Sequence, residues 1–491
     1  MGLSVSRFSK SEDLPFAFLI HLASETRQPM QNLSLKDFAD TGLLPAGTST
    51  SATTLHLIES TEFASFHDSL STSDQQWLKR QAFTGKSGQV AWLENGDGVI
   101  GAASGDSLAT LGGLPYTLPE GVYRLSATTS FIALLGWGLG SYSFDRYKAA
   151  SREPAQLILP DGSDAAELVN TVAATYLTRD LINTPAQDMA PSHLQAEVEA
   201  LGAAFKANVS TVMGDELLDL ECGAIHAVGR AADDPPRLMD LTWGNADDPK
   251  VTIVGKGVTF DSGGLNLKPA GGMRLMKKDM GGAAIALGLG YLIMAQNLPI
   301  RLRVLIPAAE NAISGNAFRP GDVLHTHKGL TVEIDNTDAE GRLLLCDALS
   351  IATSEKPELI VDYATLTGAA RGAVGAEIAA MFCNDDGLAQ DLTQIGKTEE
   401  DTVWAMPLHD DYAYMLKSNV ADLVNSAASP YAGAVTAALF LKRFIDDIPW
   451  VHFDVMAFNI RNRPGRPEGG EAMALRTIYR HLDRQYGAKG D

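Results

Sequence analysis

From about residue 224 onward, apolar strand-like runs alternate with helix-like segments, and this alternation restricts the folds open to the chain. The predicted strands occupy residues 224–228, 238–243, 251–254, 301–307, 331–334, 359–363 and 451–455. The predicted helices occupy residues 281–296, 342–354, 433–445 and 473–482. Such alternation is typical of a mostly parallel sheet flanked by helices, with functional loops at the carboxyl ends of its strands.

The region before this alternation predicts a second, smaller α/β domain. A chain of 491 residues exceeds the size at which a single hydrophobic core stops growing. The predicted division is a smaller N-terminal α/β domain, a linking helix and a larger α/β domain, at residues 1–160, 161–185 and 186–491. Near the boundary, residues 136–140 and 141–147 predict a turn and an exposed strand, and residues 165–181 predict an amphipathic helix.

The composition argues against several classes of partner. The formal net charge is −21, so the overall field repels the phosphates of nucleic acids and anionic lipid surfaces. No stretch approaches the apolar length that spans a bilayer. We therefore expect neither nucleic acid nor membrane as a main partner. The three cysteines lack the spacing of a metal site, which predicts free thiols in a reducing compartment and a cytoplasmic location.

The stretch Asn-Thr-Asp-Ala-Glu-Gly-Arg-Leu at residues 336–343 places two carboxylates and a guanidinium within five positions. If its backbone is extended, Asp338, Glu340 and Arg342 project to the same side, because residues two apart in a strand share a face. Gly341 would then let the chain turn into the following helix. An ordinary acidic loop before a helix N-terminus would contain the same residue types.

Two further acids make a metal site the better interpretation. Asp261 follows a predicted buried strand in a glycine-rich segment, and Asp279 lies in a second such segment. With Asp338 and Glu340 they supply four carboxylates, and hard oxygen ligands of this kind suit divalent cations. Two such ions about 3.5–4 Å apart can bind a water and polarise a carbonyl or phosphoryl oxygen. The predicted chemistry is hydrolysis.

Three motifs resemble those of a known family, the leucyl (cytosol) aminopeptidases, which are dinuclear metallo-exopeptidases. They are GKGVTFDSGG at 255–264, MKKDMGGAA at 276–284 and NTDAEGRLLLCDAL at 336–349. The last motif is the family signature. The resemblance extends over residues 170 to about 460, which makes the larger domain the catalytic one. In the N-terminal domain the resemblance is one of position and size only.

The resemblance implies two divalent metal ions, with zinc or manganese expected first and cobalt or magnesium as alternatives. It implies that both metals share Asp261 and Glu340. Lys256 and Asp279 would complete one site, and Asp338 would complete the other. A lysine ligand does not follow from the residues themselves, since it requires a neutral amine whose pKa is lowered by burial and by the metal.

The resemblance also places Lys268 and Arg342 in the active-site cavity as catalytic groups that do not bind metal. Lys268 can hydrogen-bond the oxyanion that forms during attack on the scissile carbonyl. Arg342 cannot act as a base because it stays protonated, and in the family this arginine holds a bicarbonate that relays the proton. A planar guanidinium suits a planar anion.

The implied substrates are short peptides with a free N-terminus, and the implied assembly is a homohexamer. A side-chain preference for Leu or Met is expected, although an apolar pocket discriminates by only about 1–3 kcal/mol per methylene. The positions that line the first side-chain pocket, or hold the peptide backbone, are Met276, Thr365, Gly368 and Leu366.

Two other functions remain open from the sequence. One is a dinuclear phosphoesterase-type hydrolase, and the other is a non-catalytic hexameric scaffold or DNA-binding member of the family. Two further features lie outside the matched pattern. His325 and His327 would face one side of a strand as a zinc pair without a third ligand. The basic segment 459–469 departs from the family's ending, near which the chain commonly approaches the substrate pocket.

Overall fold

A computed structural model describes residues 41–103 and 107–487. The N-terminal part contains a six-stranded sheet in the order β1-β6-β5-β2-β4-β3, parallel except for the pair of β3 and β4. Its strands are β1 (Leu43–Leu44), β2 (Thr53–Glu59), β3 (Val90–Trp92), β4 (Gly98–Ala102), β5 (Val122–Leu125) and β6 (Gln156–Ile158). Its helices are α1 (Phe63–Ser69), α2 (Thr72–Arg80), α3 (Ala109–Gly112), α4 (Leu114–Thr117) and α5 (Phe131–Gly140).

The larger part is built around a nine-stranded, mostly parallel sheet. Its order is β16-β15-β18-β14-β9-β11-β8-β7, with β10 pairing beside β11. The strands that follow residue 160 are β7 (Asn208–Met213), β8 (Arg237–Trp243), β9 (Lys250–Gly255), β10 (Gly257–Asp261), β11 (Arg301–Asn311), β12 (Val323–His325), β13 (Thr331–Glu333), β14 (Leu359–Ala364), β15 (Ala379–Cys383), β16 (Val403–Ala405), β17 (Leu423–Val424), β18 (Trp450–Asp454), β19 (Phe458–Asn459) and β20 (Gly469–Gly470). Strands β12, β13 and β17 form a separate small sheet, and β19 pairs with β20.

Helices cover the large sheet, which confirms the predicted fold class of a smaller and a larger α/β domain. They are α6 (Ala165–Asn183), α7 (Pro191–Phe205), α8 (Glu216–Asp219), α9 (Gly223–Gly229), α10 (Ala270–Met273), α11 (Gly281–Ala295), α12 (Gly341–Thr353), α13 (Gly368–Val374), α14 (Asp386–Thr398), α15 (Gly433–Lys442) and α16 (Leu475–Tyr486). Among the described residues, none of the helices combines the length and apolar character that crossing a bilayer requires. All three cysteines are free thiols.

Helix α6 is buried on nearly every side, so the prediction of an amphipathic helix is wrong in character. The Tyr176 hydroxyl donates to the Gly138 carbonyl in α5 at 2.6 Å, and the Thr178 hydroxyl donates to the Ala284 carbonyl in α11 at 3.2 Å. Packed in this way, the helix has no wide solvent face, and its buried side chains include hydrogen-bonded polar groups as well as apolar ones.

Two local predictions near this helix are also wrong. Residues 136–140 form the end of α5 instead of a turn, and residues 141–147 contain no strand. The glycines in this segment serve close packing, since a Cβ built on Gly136 would lie 2.2 Å from the Leu108 carbonyl oxygen. Contact of this kind between backbones has the same sequence signature as a turn.

The predicted strand at 224–228 is helix α9. Short apolar runs do not distinguish strand from helix by periodicity alone. Here a distant carboxylate decides the outcome, because Asp347 in α12 accepts hydrogen bonds from the backbone N–H groups of Ala224 and Ile225 at 3.0 and 3.1 Å. These are the unpaired donors of a helix start.

A fully buried arginine joins the domains. Arg179 of α6 donates to the carbonyl oxygens of Leu139 and Gly465 at 2.8 and 2.9 Å, and it pairs with the buried Glu471 at 3.2 Å. Burial raises the pKa of Glu471, but the charges of Arg179, Arg466 and Arg476 and a hydrogen bond from Asn459 together lower it by more, so that the carboxyl stays ionised. The pair holds the end of α5 and the C-terminal strand β20 against α6.

We expect Arg179→Met to lower the free energy of unfolding by roughly 3–5 kcal/mol, because the substitution leaves Glu471 buried and unpaired. Arg461→Met is the matched control, since Arg461 is 63% exposed in its ion pair with Glu377 and such pairs contribute about 0–1 kcal/mol. Urea unfolding of both variants measures the difference. Equal losses in the two variants would contradict the role assigned to Arg179.

Candidate metal centre

The site lies at the carboxyl edge of the large sheet, where parallel strands end together. Lys256 follows β9, and Asp261 ends β10. Thr365 follows β14, and Asn311 and Asp454 end β11 and β18. The β/α alternation predicted this edge as the place for functional groups, and the strand ends do supply three of the predicted site residues.

The remaining acids come from outside that sheet. Asp279 lies in a 3-10 helix, Met276–Met280, directly before α11. Asp338 and Glu340 lie in the loop between β13 of the small sheet and α12. Glu340 has helical backbone angles, φ −82° and ψ −32°, so the prediction that Asp338, Glu340 and Arg342 share one face of an extended strand is wrong. A turn and the first residues of a helix bring them together instead.

All the residues singled out from the sequence line one cavity of about 290 Å³. This cavity brings together Lys256, Asp261, Lys268, Met276, Asp279, Asp338, Glu340, Arg342, Thr365, Leu366 and Gly368. The structure thus places them within one site.

Two lysines are paired with the four carboxylates. Lys256 Nζ lies 2.8 Å from Asp279 and 2.9 Å from Glu340. Lys268 Nζ lies 2.7 Å from Asp261 and 2.5 Å from Asp338. Burial lowers the pKa of Lys256, but the charges of Asp279 and Glu340 raise it by more. Each ammonium group is thus shared between two carboxylates.

The carboxylates fit a divalent cation. One oxygen from each of Asp261, Asp338 and Glu340 lies within 4.8 Å of the others. Asp279 Oδ2 and Asp338 Oδ1 are buried, and each faces a lysine ammonium group, that of Lys256 and that of Lys268 respectively. Burial and the charge of Asp261 raise the pKa of Glu340 to about 8. A buried carboxyl this costly to ionise is stabilised as an anion by a nearby metal charge.

Gly341 has a different purpose from the one predicted. It begins α12 without a positive φ, so it is not needed for a turn. A Cβ built on Gly341 would lie 2.4 Å from Lys256 Cε and 2.6 Å from its Nζ. Glycine at this position therefore makes room for the Lys256 side chain beside Glu340.

Asn425 holds the acidic loop and was not predicted from the sequence. It is fully buried, and its Oδ1 accepts from the N–H groups of Asp335 and Asn336 at 2.9 and 3.2 Å. Its Nδ2 donates to the carbonyls of Asn336 and Ala339 at 2.7 and 3.2 Å. Its own carbonyl accepts from Arg342 Nη1 at 2.8 Å. An asparagine some 85 residues from the motif has no local pattern that would reveal it.

Other polar side chains orient the acids in the same way. Asn311 Nδ2 donates to Asp261 Oδ1 at 2.9 Å and to the Thr337 carbonyl at 3.0 Å. The Thr365 hydroxyl, expected from the resemblance to line a pocket, donates to Asp279 Oδ1 at 2.7 Å. Such partners fix the direction of metal-binding groups. The Leu366 N–H donates to Asp454 at 3.0 Å, so this N–H is already engaged within the protein.

Three basic groups in the cavity keep donors without partners. Arg342 is 7% exposed, and burial lowers its pKa to about 10, so it stays a cation at neutral pH. Its Nε, the Lys278 Nζ and the Arg371 Nη1 are buried and donate no hydrogen bond within the described residues. Lys278 and Arg371 were not singled out from the sequence.

The histidine pair and the basic segment 459–469, which lay outside the matched motifs, do not line the acidic cavity. His325 is exposed, and the ring of His327 contacts the Ser350 hydroxyl at 2.9 Å, with no carboxylate or second histidine joining them as a metal group in the described residues. His452 is a core residue whose ring contacts Asp362 at 2.6 Å. The basic segment 459–469 contributes to a larger cavity of about 550 Å³ and not to the acidic one.

The comparisons with known families agree with this geometry. A model described as the cytosol aminopeptidase family, catalytic domain, matches residues 176–479. The chain belongs to the cytosol aminopeptidase family. A second model, the M17 aminopeptidase N-terminal domain, matches residues 53–160, so the family likeness extends into the domain where the sequence had shown similarity of position and size only.

Relatives and solved structures point the same way. A probable cytosol aminopeptidase of Nitratidesulfovibrio vulgaris is 42% identical over 362 residues, covering 70% of this chain and 71% of the relative. The cytosol aminopeptidase structure from Coxiella burnetii is 46% identical with a TM-score of 0.87, covering 91% and 99% of the two chains. The bottromycin maturation enzyme BotP, solved in complex with Mn, is 32% identical with a TM-score of 0.79, covering 89% and 100%. The protein described here is accordingly a hydrolase of the metallo-exopeptidase class.

We expect Asn425→Ala to reduce both stability and activity, because it leaves four backbone groups of the acidic loop without their partners. Unsatisfied buried groups cost about 1–3 kcal/mol, which sets the expected loss in urea unfolding. Asn316→Ala, at an exposed asparagine in another loop, is the control. Wild-type stability and activity in Asn425→Ala would show that the loop holds its shape without this side chain.

Proposed function

We propose that this protein is a two-metal aminopeptidase that releases N-terminal residues from short peptides. The observation that carries the proposal is the meeting of Asp261, Asp279, Asp338 and Glu340 in one buried, glycine-lined cavity of a cytosol aminopeptidase-family chain. Leu and Met are the expected first residues, in keeping with the resemblance. The close grouping of carboxylate oxygens from Asp261, Asp338 and Glu340, within 4.8 Å of one another, supports metal binding.

The residues that would hold the metals are the four carboxylates and Lys256. Asp261 and Glu340 would serve both ions, Asp279 and Lys256 one, and Asp338 the other. Two divalent ions supply Lewis acidity and a water activated at neutral pH. In this structure Lys256 and Lys268 balance the charge of the carboxylates, and the bound ions would do so instead. Lys256 would lose its proton when it binds a metal ion.

Lys268 and Arg342 would act on the substrate and its proton. Lys268 lies at the mouth of the acidic group with 15% of its side chain exposed, where its ammonium can donate to the oxyanion of the scissile carbonyl. Arg342 keeps one buried Nε–H free on the same cavity, and a planar bicarbonate is the proposed acceptor. Bound there, such an anion would relay the proton that no free carboxylate can take.

A free α-amine is the proposed recognition element. Asp279 is buried at the inner wall, with Thr365 fixing one of its oxygens, so an ammonium or amine of the substrate can approach it. Met276, Thr365 and Gly368 would line the first side-chain pocket, and the Leu366 carbonyl would accept from the peptide backbone. A blocked N-terminus would lose this anchor.

Metal identity, assembly and location follow as parts of the same proposal. Zinc or manganese is proposed, with cobalt or magnesium as alternatives, since carboxylate sites accept several divalent ions. A homohexamer is proposed from the family resemblance, and a cytoplasmic location because the relatives are named cytosol aminopeptidases.

We expect Glu340→Ala to lose both bound metal and cleavage of leucine p-nitroanilide while retaining the circular-dichroism spectrum of the wild type. The substitution removes a cavity carboxylate and no apolar core contact. Asp335→Ala is the matched control, because Asp335 is an exposed acid in the same loop. Elemental analysis and the anilide assay, before and after chelation, are the measurements. Full turnover in Glu340→Ala would refute the site.

Lys268→Met separates chemistry from metal binding. We expect it to keep its metal but to lower kcat about 10²–10³-fold, the usual cost of removing one oxyanion donor. The exposed Lys79→Met serves as the control. A drop in metal content equal to the drop in kcat would show instead that Lys268 organises the carboxylates.

A further inference from the structure

Two cations at one side of the cavity have no anion to pair with. Lys278 is 2% exposed, and its Nζ neither donates a hydrogen bond nor forms an ion pair within the described residues. Arg371, half-buried in the middle of α13, has a buried Nη1 that likewise donates no hydrogen bond within the described residues. Both side chains line the cavity that contains the acidic group. A buried cation without a partner is costly, and two near each other are more so.

The nearby carboxylates are already engaged. Asp279, next in sequence to Lys278, pairs with Lys256 at 2.8 Å and accepts from the Thr365 hydroxyl. Asp454 accepts from the N–H groups of Leu366 and Thr367 at 3.0 and 3.1 Å and from the Thr367 hydroxyl. Neither acid makes an ion pair with Lys278 or Arg371. The two cations are therefore left for something that enters the cavity.

The position of Arg371 indicates which part of a substrate would meet it. Gly368 and Arg371 lie three residues apart in α13, on one face of the helix. A Cβ built on Gly368 would lie 3.9 Å from Arg371 Nη2. Gly368 is one of the positions that the resemblance assigns to the first side-chain pocket, and Met276, two residues before Lys278, is another. The guanidinium thus borders the space proposed for the substrate's first side chain.

We propose that Lys278 and Arg371 bind the side-chain carboxylate of a substrate whose first residue is Glu or Asp, so that this aminopeptidase accepts acidic N-terminal residues besides apolar ones. The inference rests on the proposed function and extends its substrate class. A carboxylate would accept directed hydrogen bonds from the ammonium and the guanidinium together, and such charge-assisted bonds are stronger than those to a neutral amide. The glutamine analogue has the same shape and lacks the charge, which makes it the matched substrate.

The test compares glutamate and glutamine p-nitroanilides on the metal-loaded enzyme, with leucine p-nitroanilide as reference. We expect the ratio of kcat/KM for Glu over Gln to fall about 10- to 100-fold in Lys278→Met, the size expected from losing a hydrogen bond to a charged group. Arg371→Met should lower the same ratio. The single variant Lys278→Arg, which keeps a positive charge at this position, should retain part of the wild-type ratio. Lys277→Met is the matched control, because Lys277 donates to the Asn183 carbonyl and does not line the cavity.

The outcomes separate the inference from the proposed function. Absence of cleavage of every anilide by the metal-loaded wild type would sink the proposed function itself. Cleavage of the leucine substrate, with a Glu-to-Gln ratio that neither Lys278→Met nor Arg371→Met changes, would overturn the inference alone. A peptide pair, Leu-Gly and leucyl-glycinamide, tests the other source of a carboxylate. If Lys278→Met lowers only the cleavage of the free dipeptide, the cations bind a C-terminus and the assignment to the first side chain is wrong.

Discussion

Four carboxylates in one cavity repel one another, and much of the surrounding catalytic domain serves to hold them together. Asp261, Asp279 and Glu340 are each 2% exposed, so water cannot screen their charges. The fold offsets the repulsion with two ammonium groups, each between a pair of acids. The two ammonium groups are shared among the acids, three of which have oxygens within 4.8 Å of one another, and hard carboxylate oxygens grouped in this way suit divalent cations. The fold holds such a site in place, and divalent ions would complete it.

Holding such groups in place requires a rigid surround, and the polar network of this chain provides it. Asn425 closes the loop that carries Asp338 and Glu340, and Asn311 ties that loop to Asp261 at the end of β10. Helix α6 and the buried Arg179 connect the N-terminal domain to the same body. The precision of the site thus depends on buried amides and one arginine as much as on the acids themselves.

The acids and the family were predicted from the sequence because their signals are local. The motifs at 255–264, 276–284 and 336–349 place acids, glycines and apolar runs at fixed spacing, and every residue selected from them or from the 365–368 segment lines one cavity. The predicted strand at 224–228 failed for the opposite reason, since Asp347 decides its conformation from more than a hundred positions away. The prediction that Gly341 is needed for a turn was also wrong. Glycine is required at this position because a larger residue would collide with the Lys256 side chain.

By itself the sequence determined the fold class, the acidic motifs and the family, since periodicity, glycine placement and motif spacing are properties of neighbouring residues. Only the tertiary structure decided which lysines compensate which acids, that Asn425 and Asn311 hold the loop, and that Lys278 and Arg371 face the cavity without partners. Charge compensation and burial depend on groups brought together from distant positions. A local sequence pattern does not show which distant groups a side chain contacts in the folded protein.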